Sequence, residues 1–140
     1  MEKNKKILIV DDEKMNIIAL AHFLKPEYDI IVSTESAAAL EIAEKHLPDI
    51  ILLDIIMPDM DGFEVITQLK NSDKAKEIPV IFITGLNNEV NEEKGITLGA
   101  ADYITKPFNK TLVKTRIETQ LKLQNYKHIL EEMTVEKNSE

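Results

Sequence analysis

Residues 49–62, DIILLDIIMPDMDG, carry the clearest architectural signal in the chain. Ile50-Ile51-Leu52-Leu53 is an unbroken apolar run that ends at Asp54. A strand covered by helices on both faces reads this way, and such strands belong to parallel sheets. The residues after Asp54 form a loop. Pro58 blocks helix continuation, and Gly62 is expected to supply a backbone geometry closed to other residues. Gly62 then opens a helical pattern carrying Phe63, Val65, Ile66 and Leu69.

Moving outward, three further runs repeat the theme. Lys6-Ile7-Leu8-Ile9-Val10 leads into Asp11-Asp12-Glu13, Val80-Ile81-Phe82-Ile83 ends at Thr84, and Asp102-Tyr103-Ile104-Thr105 leads into Lys106-Pro107. Tyr28 to Thr34 is a weaker strand suited to an edge, and Ala101 to Thr105 is short enough to be the other edge. Helical patterns alternate with these strands, which is the order of an α/β fold with a parallel sheet. The first carries Ile17, Leu20, Ala21 and Leu24 and stops at Pro26. Ser36 is expected to cap the second, which holds Ala37, Leu40, Ile42 and Ala43. The fourth, Asn87 to Gly99, is polar and contains Gly95, so it is expected to be loosely held and able to move.

The fifth helix starts near Lys110. Val113, Ile117 and Leu121 recur four residues apart and are expected to pack on the sheet. Beyond them Leu123, Tyr126, Leu130 and Met133 follow a 3-4-3 spacing. That stripe is either the apolar side of a long helix that frays or a seam for a partner. The division expected is residues 1–125 as one domain and 126–140 as a helix extension with a polar tail, which could link to an output domain.

Composition narrows the function classes. The 140 residues suit one domain and include no cysteine, which removes disulfide, thiolate-metal and thiol redox roles. The net charge of -8 lacks the footprint of a nucleic-acid binder, although Lys110, Lys114, Arg116, Lys122 and Lys127 give the fifth helix a cationic face. No run is long enough for a signal-peptide core or a membrane span, and a cytoplasmic protein is expected. His22, His46 and His128 have no metal-ligand spacing and read as surface residues.

In an open parallel sheet, ligands bind at the carboxyl ends of the strands. Asp11, Asp12, Asp54, Thr84 and Lys106 would then share one rim. Crowded carboxylates repel, and burial adds desolvation, so a cation is the natural explanation for three of them. Hard oxygen donors suit Mg²⁺. Aspartate can accept a phosphoryl group covalently, and Lys106 could steady the equatorial oxygens as charge shifts. Met57 and Met60 read as packing.

With ILIVDDE at 7–13, LLDIIMPDMDG at 52–62, Thr84-Gly85 and GAADYITKPF at 99–108, the chain resembles the receiver domains of bacterial two-component response regulators. The resemblance runs from residue 5 to about 125. It implies a flavodoxin-like (βα)5 fold with a five-stranded sheet in the order 2-1-3-4-5. It also implies that Asp54 is the phosphoacceptor, that Asp12 ligates Mg²⁺ directly and Asp11 mainly through water, and that Ile56 lends its carbonyl. Thr84 and Tyr103 would be the switch pair, Lys106 the phosphate-binding lysine, and Lys106-Pro107 a cis bond. Phosphate would come from a sensor histidine kinase. Its arrival would draw Thr84 and Lys106 inward, let Tyr103 follow, and reshape the face made by the fourth helix, last strand and fifth helix. The domain would catalyse only its own phosphorylation and dephosphorylation. Ile56 and Leu86, two past Asp54 and Thr84, are apolar and predict a long-lived phosphoryl group. Arg116 and Asp102 match positions that pair across dimers in similar transcription factors, but Thr111 replaces a common acidic partner. A homodimer through that face or the C-terminal helix is a weaker expectation.

Three rival functions fit less well. A haloacid-dehalogenase-like phosphatase would need Asp-x-Asp after the first strand, where this chain has Asp11-Asp12-Glu13. A nucleotide or flavin binder would need a glycine-rich loop there. A receiver-like scaffold that never sees phosphate would not need the full set of Asp11, Asp12, Asp54, Thr84 and Lys106.

Overall fold

The computed structural model describes residues 4–85 and 89–139, with side chains described as far as residue 134. In chain order the elements are β1 (Lys6–Val10), α1 (Lys14–Leu24), β2 (Asp29–Ser33), a 3₁₀ turn (Ser36–Ala38) running into α2 (Ala39–His46), and β3 (Ile50–Leu53). They continue with α3 (Gly62–Lys70), β4 (Val80–Thr84), α4 (Glu89–Thr97), β5 (Asp102–Thr105) and α5 (Lys110–Ser139). The sheet has five strands in the order β2-β1-β3-β4-β5, and every neighbouring pair is parallel. This is the expected doubly wound topology, with β2 and β5 at the edges.

Alternation along the strands divides the core in two. Leu8, Val10, Ile51, Leu53, Val80 and Phe82 point to one face and meet Ala39 and Ala43 of α2 and Phe63, Val65, Ile66 and Leu69 of α3. Ile7, Ile9, Ile50, Leu52, Ile81 and Ile83 point to the other, where α1 brings Ile17, Leu20 and Leu24 and α5 brings Val113 and Ile117. Each fully buried Ile or Leu stabilises the fold by about 1.5–3 kcal/mol, so the central strands anchor the rim at their ends.

Four local expectations need correction. Ser36 does not cap α2. It is the first residue of the 3₁₀ turn, and its buried hydroxyl donates to the Asp59 carboxylate across the β3–α3 loop. Gly62 needs no unusual backbone angle, since the only glycine with positive φ among the described residues is Gly99. Its demand is space: a Cβ there would lie 2.4 Å from the Asp54 carbonyl oxygen. Gly95 is buried rather than merely permissive, because α4 crosses close over Phe82 and Tyr103 and a Cβ would sit 3.0 Å from two Phe82 ring carbons. The polar tail expected at the end of the 126–140 extension stays helical as far as Ser139, where the described residues end. The expected start of the fourth helix at Asn87 lies outside the described residues.

Candidate functional site

Strand register builds the site. The Asp54 N–H donates to the Val10 carbonyl at 3.0 Å, so the residues following β1 and β3 lie side by side. The Lys106 N–H donates to the Thr84 carbonyl at 2.8 Å, which aligns the ends of β4 and β5 in the same way. The topology reverses at β1, whose sequence neighbour β2 lies to one side and β3 to the other, and ligands of open α/β sheets bind at such a point.

Asp11, Asp12 and Asp54 converge there. Each offers a carboxylate oxygen, and these atoms all lie within 4.8 Å of one another. Asp11 and Asp54 are buried and Asp12 is exposed. The orientation of Asp54 is set by its own loop: Oδ1 accepts from the N–H of Ile55 at 2.7 Å and of Ile56 at 3.3 Å. Its Oδ2 faces Lys106 Nζ at 3.2 Å, and the same ammonium lies 3.5 Å from Asp11 Oδ2. Asp11 Oδ1 accepts from the Glu13 N–H at 2.9 Å. Thr84, at the end of β4, is fully buried. Asp11, Asp12, Asp54 and Lys106 are therefore brought together, and Thr84 ends the strand next to β3 and bonds to Lys106 through its backbone carbonyl.

The charges are not at ease. Burial pushes the Asp11 carboxyl up; the Glu13 N–H pulls the other way, Asp54 adds to the rise, and the net effect is upward. Burial works against the Lys106 ammonium, but the Asp54 and Asp11 carboxylates outweigh it and hold its pKa above the ordinary lysine value. One lysine therefore balances two buried carboxylates, with a third beside them. Three oxygen donors carrying excess negative charge fit a hard divalent cation.

The loop that carries Ile56 is pinned from outside. Asp59 accepts from the Ser36 hydroxyl and, at 3.2 Å, from the Ala37 N–H. Asp61 caps α3 by accepting from the Glu64 N–H at 2.9 Å, and the Gly62 N–H closes the loop on the Ile55 carbonyl at 2.8 Å. Sequence reading missed Asp59. Its only trace was an acid next to a proline in a loop already assigned to the site. Ile56 itself is exposed at the mouth, while Leu86 lies outside the described residues.

Tyr103 is already inward. Its ring is buried edge-on against Phe82, with centroids 6.1 Å apart, and Phe82 meets Phe63 at 5.7 Å. Burial raises the Tyr103 hydroxyl pKa, helped by Glu92 and Asp54. Lys94 of α4 stands 4.4 Å over the Phe63 ring and ties α4 to the start of α3. Arg116 reaches both oxygens of Asp102 at 3.2 and 3.0 Å within the same chain, so that pair is formed without a second copy. His22, His46 and His128 are all exposed.

The sequence model described as "Response regulator receiver domain" matches residues 7–118. Among curated relatives, the chain is 44% identical over 124 residues to a protein of Vibrio cholerae named "Probable cyclic di-GMP phosphodiesterase", covering 89% of this chain and 28% of the relative. It is 36% identical over 129 residues to the response regulator PleD of Caulobacter vibrioides, covering 91% of this chain and 28% of PleD. It is 38% identical over 120 residues to the alkaline phosphatase synthesis transcriptional regulatory protein PhoP of Bacillus subtilis, covering 85% of this chain and 49% of PhoP. The chain thus spans between about a quarter and a half of the length of these relatives. Among solved structures, a CheY-like receiver domain protein from Methanospirillum hungatei superposes with a TM-score of 0.83 at 27% identity, covering 89% of this chain and 99% of the other. A two-component response regulator from Clostridium difficile gives 0.81 at 26% identity, covering 87% and 99%.

Proposed function

The chain belongs to the response regulator receiver domain family, and on that premise we propose that Asp54 is its phosphoacceptor and that Asp11, Asp12 and the Ile56 carbonyl join Asp54 in holding Mg²⁺. The observation that supports this reading is the convergence of three carboxylates within 4.8 Å, with Lys106 bonded to two of them. The phosphatase alternative finds no support in the family match.

Receiver domains take phosphate from histidine kinases, and the proposed step here is in-line transfer. An oxygen of Asp54 attacks phosphorus, an O–P bond forms, and the N–P bond to the donor imidazole breaks. Bound Mg²⁺ would offset the repulsion between carboxylate and incoming phosphate and polarise the phosphoryl oxygens. The Ile55 and Ile56 N–H groups keep the nucleophile oriented through Oδ1. Lys106 shifts its hydrogen bonds from the carboxylates to the phosphoryl oxygens. Thr84 donates to a third oxygen, and Tyr103 responds beside it. Phosphorylation adds about -1.5 to -2 charge at this rim, and that charge shifts the population of the α4-β5-α5 face. The domain is read as a signalling module that modifies only itself, in the cytoplasm, and without direct nucleic-acid contact. Self-association would use that face or the extension of α5. Residues 126–140 are read as an extension beyond the domain proper, and no helix among the described residues is long and apolar enough to cross a membrane.

Intact-mass analysis after incubation with acetyl phosphate and Mg²⁺ tests the assignment. The wild type is expected to gain one phosphoryl group, and Asp54→Ala none. A phosphoryl group retained by Asp54→Ala, on any other residue, would overturn it.

A further inference from the structure

The connection between β2 and α2 touches both acid-bearing loops of the site. On one side the Asp11 N–H donates to the Ser33 carbonyl at 3.2 Å, so the end of β2 holds the loop that carries Asp11 and Asp12. On the other side it holds Asp59, in the middle of the loop that follows Asp54. The Ser36 hydroxyl donates to Asp59 Oδ1, and the Ala37 N–H donates to Oδ2 at 3.2 Å. Residues 33–37 therefore span the two loops whose carboxylates converge.

This brace has a firm base. The Ser33 hydroxyl donates to the Glu35 carbonyl at 2.8 Å and accepts from the Glu35 N–H at 3.3 Å, which folds the turn on itself. Ser36 is 1% exposed, and Ala39 and Ala43 beyond it have no exposed surface. Asp59, by contrast, is exposed. Water is open to it as a partner, yet its two oxygens go to a buried hydroxyl and a backbone N–H. Those donors, the Ser36 hydroxyl foremost, hold its carboxyl below the usual carboxylate range. The ends of the loop are tied separately, by the Gly62 N–H on the Ile55 carbonyl and by Asp61 capping α3. Ile56 lies between those ties, three residues before Asp59.

We propose that Ser36 and Asp59 are a positioning pair for the divalent cation. By fixing the β3–α3 loop before metal arrives, they keep the Ile56 carbonyl aligned with the carboxylates of Asp11, Asp12 and Asp54. The inference rests on the reading of that rim as a Mg²⁺ site and adds the residues that preorganise it. A loop already in its bound shape loses less conformational entropy when a ligand orders it. Without the clamp, Asp59 turns to water and the metal has to order the loop itself. The loss then falls on affinity, and not on the rate once metal is bound.

Charge is the competing explanation, since Asp59 is one more acid near a cation site. Two variants separate the accounts. Ser36→Ala breaks the clamp and keeps every charge. Asp59→Asn removes a charge and keeps the clamp, because its amide oxygen accepts from the Ala37 N–H while its NH₂ donates to the Ser36 oxygen.

Mg²⁺ titration of the isotope-labelled full chain, followed by amide shifts, reads affinity without phosphate. Ser36→Ala is expected to bind Mg²⁺ about tenfold more weakly. Asp59→Ala is expected to lose at least as much, the double variant no more than Asp59→Ala alone, and Asp59→Asn to stay near wild type. In metal-free protein the Ile56 amide is expected to exchange faster in Ser36→Ala. With acetyl phosphate, Ser36→Ala is expected to need more Mg²⁺ for half-maximal rate and to reach the wild-type rate at saturation, a split that general loss of stability does not give. Wild-type Mg²⁺ affinity in Ser36→Ala, a loss in Asp59→Asn equal to that in Asp59→Ala, or a rate still depressed at saturating Mg²⁺ would overturn the clamp and leave the metal site standing. A wild type that takes up no Mg²⁺ would overturn the metal reading and the clamp with it.

Discussion

Asp11 is an acid held where water cannot fully solvate it, next to a second acid and sharing one lysine with it. Its folded pKa lies above its unfolded value. The native state therefore holds the proton more tightly than the unfolded chain, and ionised Asp11 opposes folding at neutral pH. That penalty fades as pH falls through the raised pKa. Asp11→Asn keeps an acceptor for the Glu13 N–H and removes the charge, so it is expected to raise the urea midpoint at pH 7 and, because the relief on protonating Asp11 is lost, to steepen the fall of that midpoint in the acid limb. Equilibrium denaturation across pH checks both. Gly62 makes a different demand. Alanine would drive a Cβ into the Asp54 carbonyl at 2.4 Å, where only backbone can yield. Gly62→Ala is expected to cost about 1–3 kcal/mol, as overpacking does, and to slow phosphorylation by moving Asp54. Thermal melts and the mass assay separate the two effects. At the mouth of the site, Ile56 is exposed and offers no polar group to orient an attacking water. A polar substitution, Ile56→Asn, is expected to speed autodephosphorylation. A decay rate unchanged by it would refute the shielding reading.

Helix α4 shows how an element can contradict its own composition. Gly95 weakens an isolated helix by about 1 kcal/mol relative to alanine, and composition alone suggested a loose segment. In the fold Gly95 is the point of closest approach to Phe82, a ring with no exposed surface. Gly95→Ala therefore gains propensity and loses packing. The packing loss is expected to win, with a net destabilisation of about 1 kcal/mol, and a raised melting temperature would show that the ring can give way. Lys94 over Phe63 adds a tie from the same turn of helix to α3. A moving α4 has to break both contacts. Helix α5 carries two apolar stripes, an inner one buried by the body and an outer one exposed. The 3-4-3 spacing revealed the second stripe. It could not reveal that Glu77 fixes which way the stripe points.

At the scale of the whole molecule, the site exists only because distant strands end at one rim: Asp11 and Asp54 are adjacent although 43 residues separate them. A cation bound there stabilises the folded state alone, by about 2.7 kcal/mol at a hundredfold excess over its dissociation constant. Mg²⁺ is accordingly expected to raise the melting temperature, a chelator to reverse the gain, and Asp12→Asn to reduce it sharply. Calorimetry with and without metal reads all three. The residues themselves gave the alternation of buried strands and helices and the candidates at the strand ends, while the strand order came from the resemblance to receiver domains. Apolar runs of four or five residues bounded by turn residues read as buried strands, and side chains placed directly after them sit at the strands' carboxyl ends. The tertiary structure alone decided what depends on contacts between segments far apart in sequence. Ser36 serves Asp59 instead of capping α2, Gly62 and Gly95 are there for space, Tyr103 lies inward, and Arg116 finds Asp102 in its own chain. Periodicity reports which face a residue takes, but the neighbour it meets on that face is set by how the helices lie across the sheet.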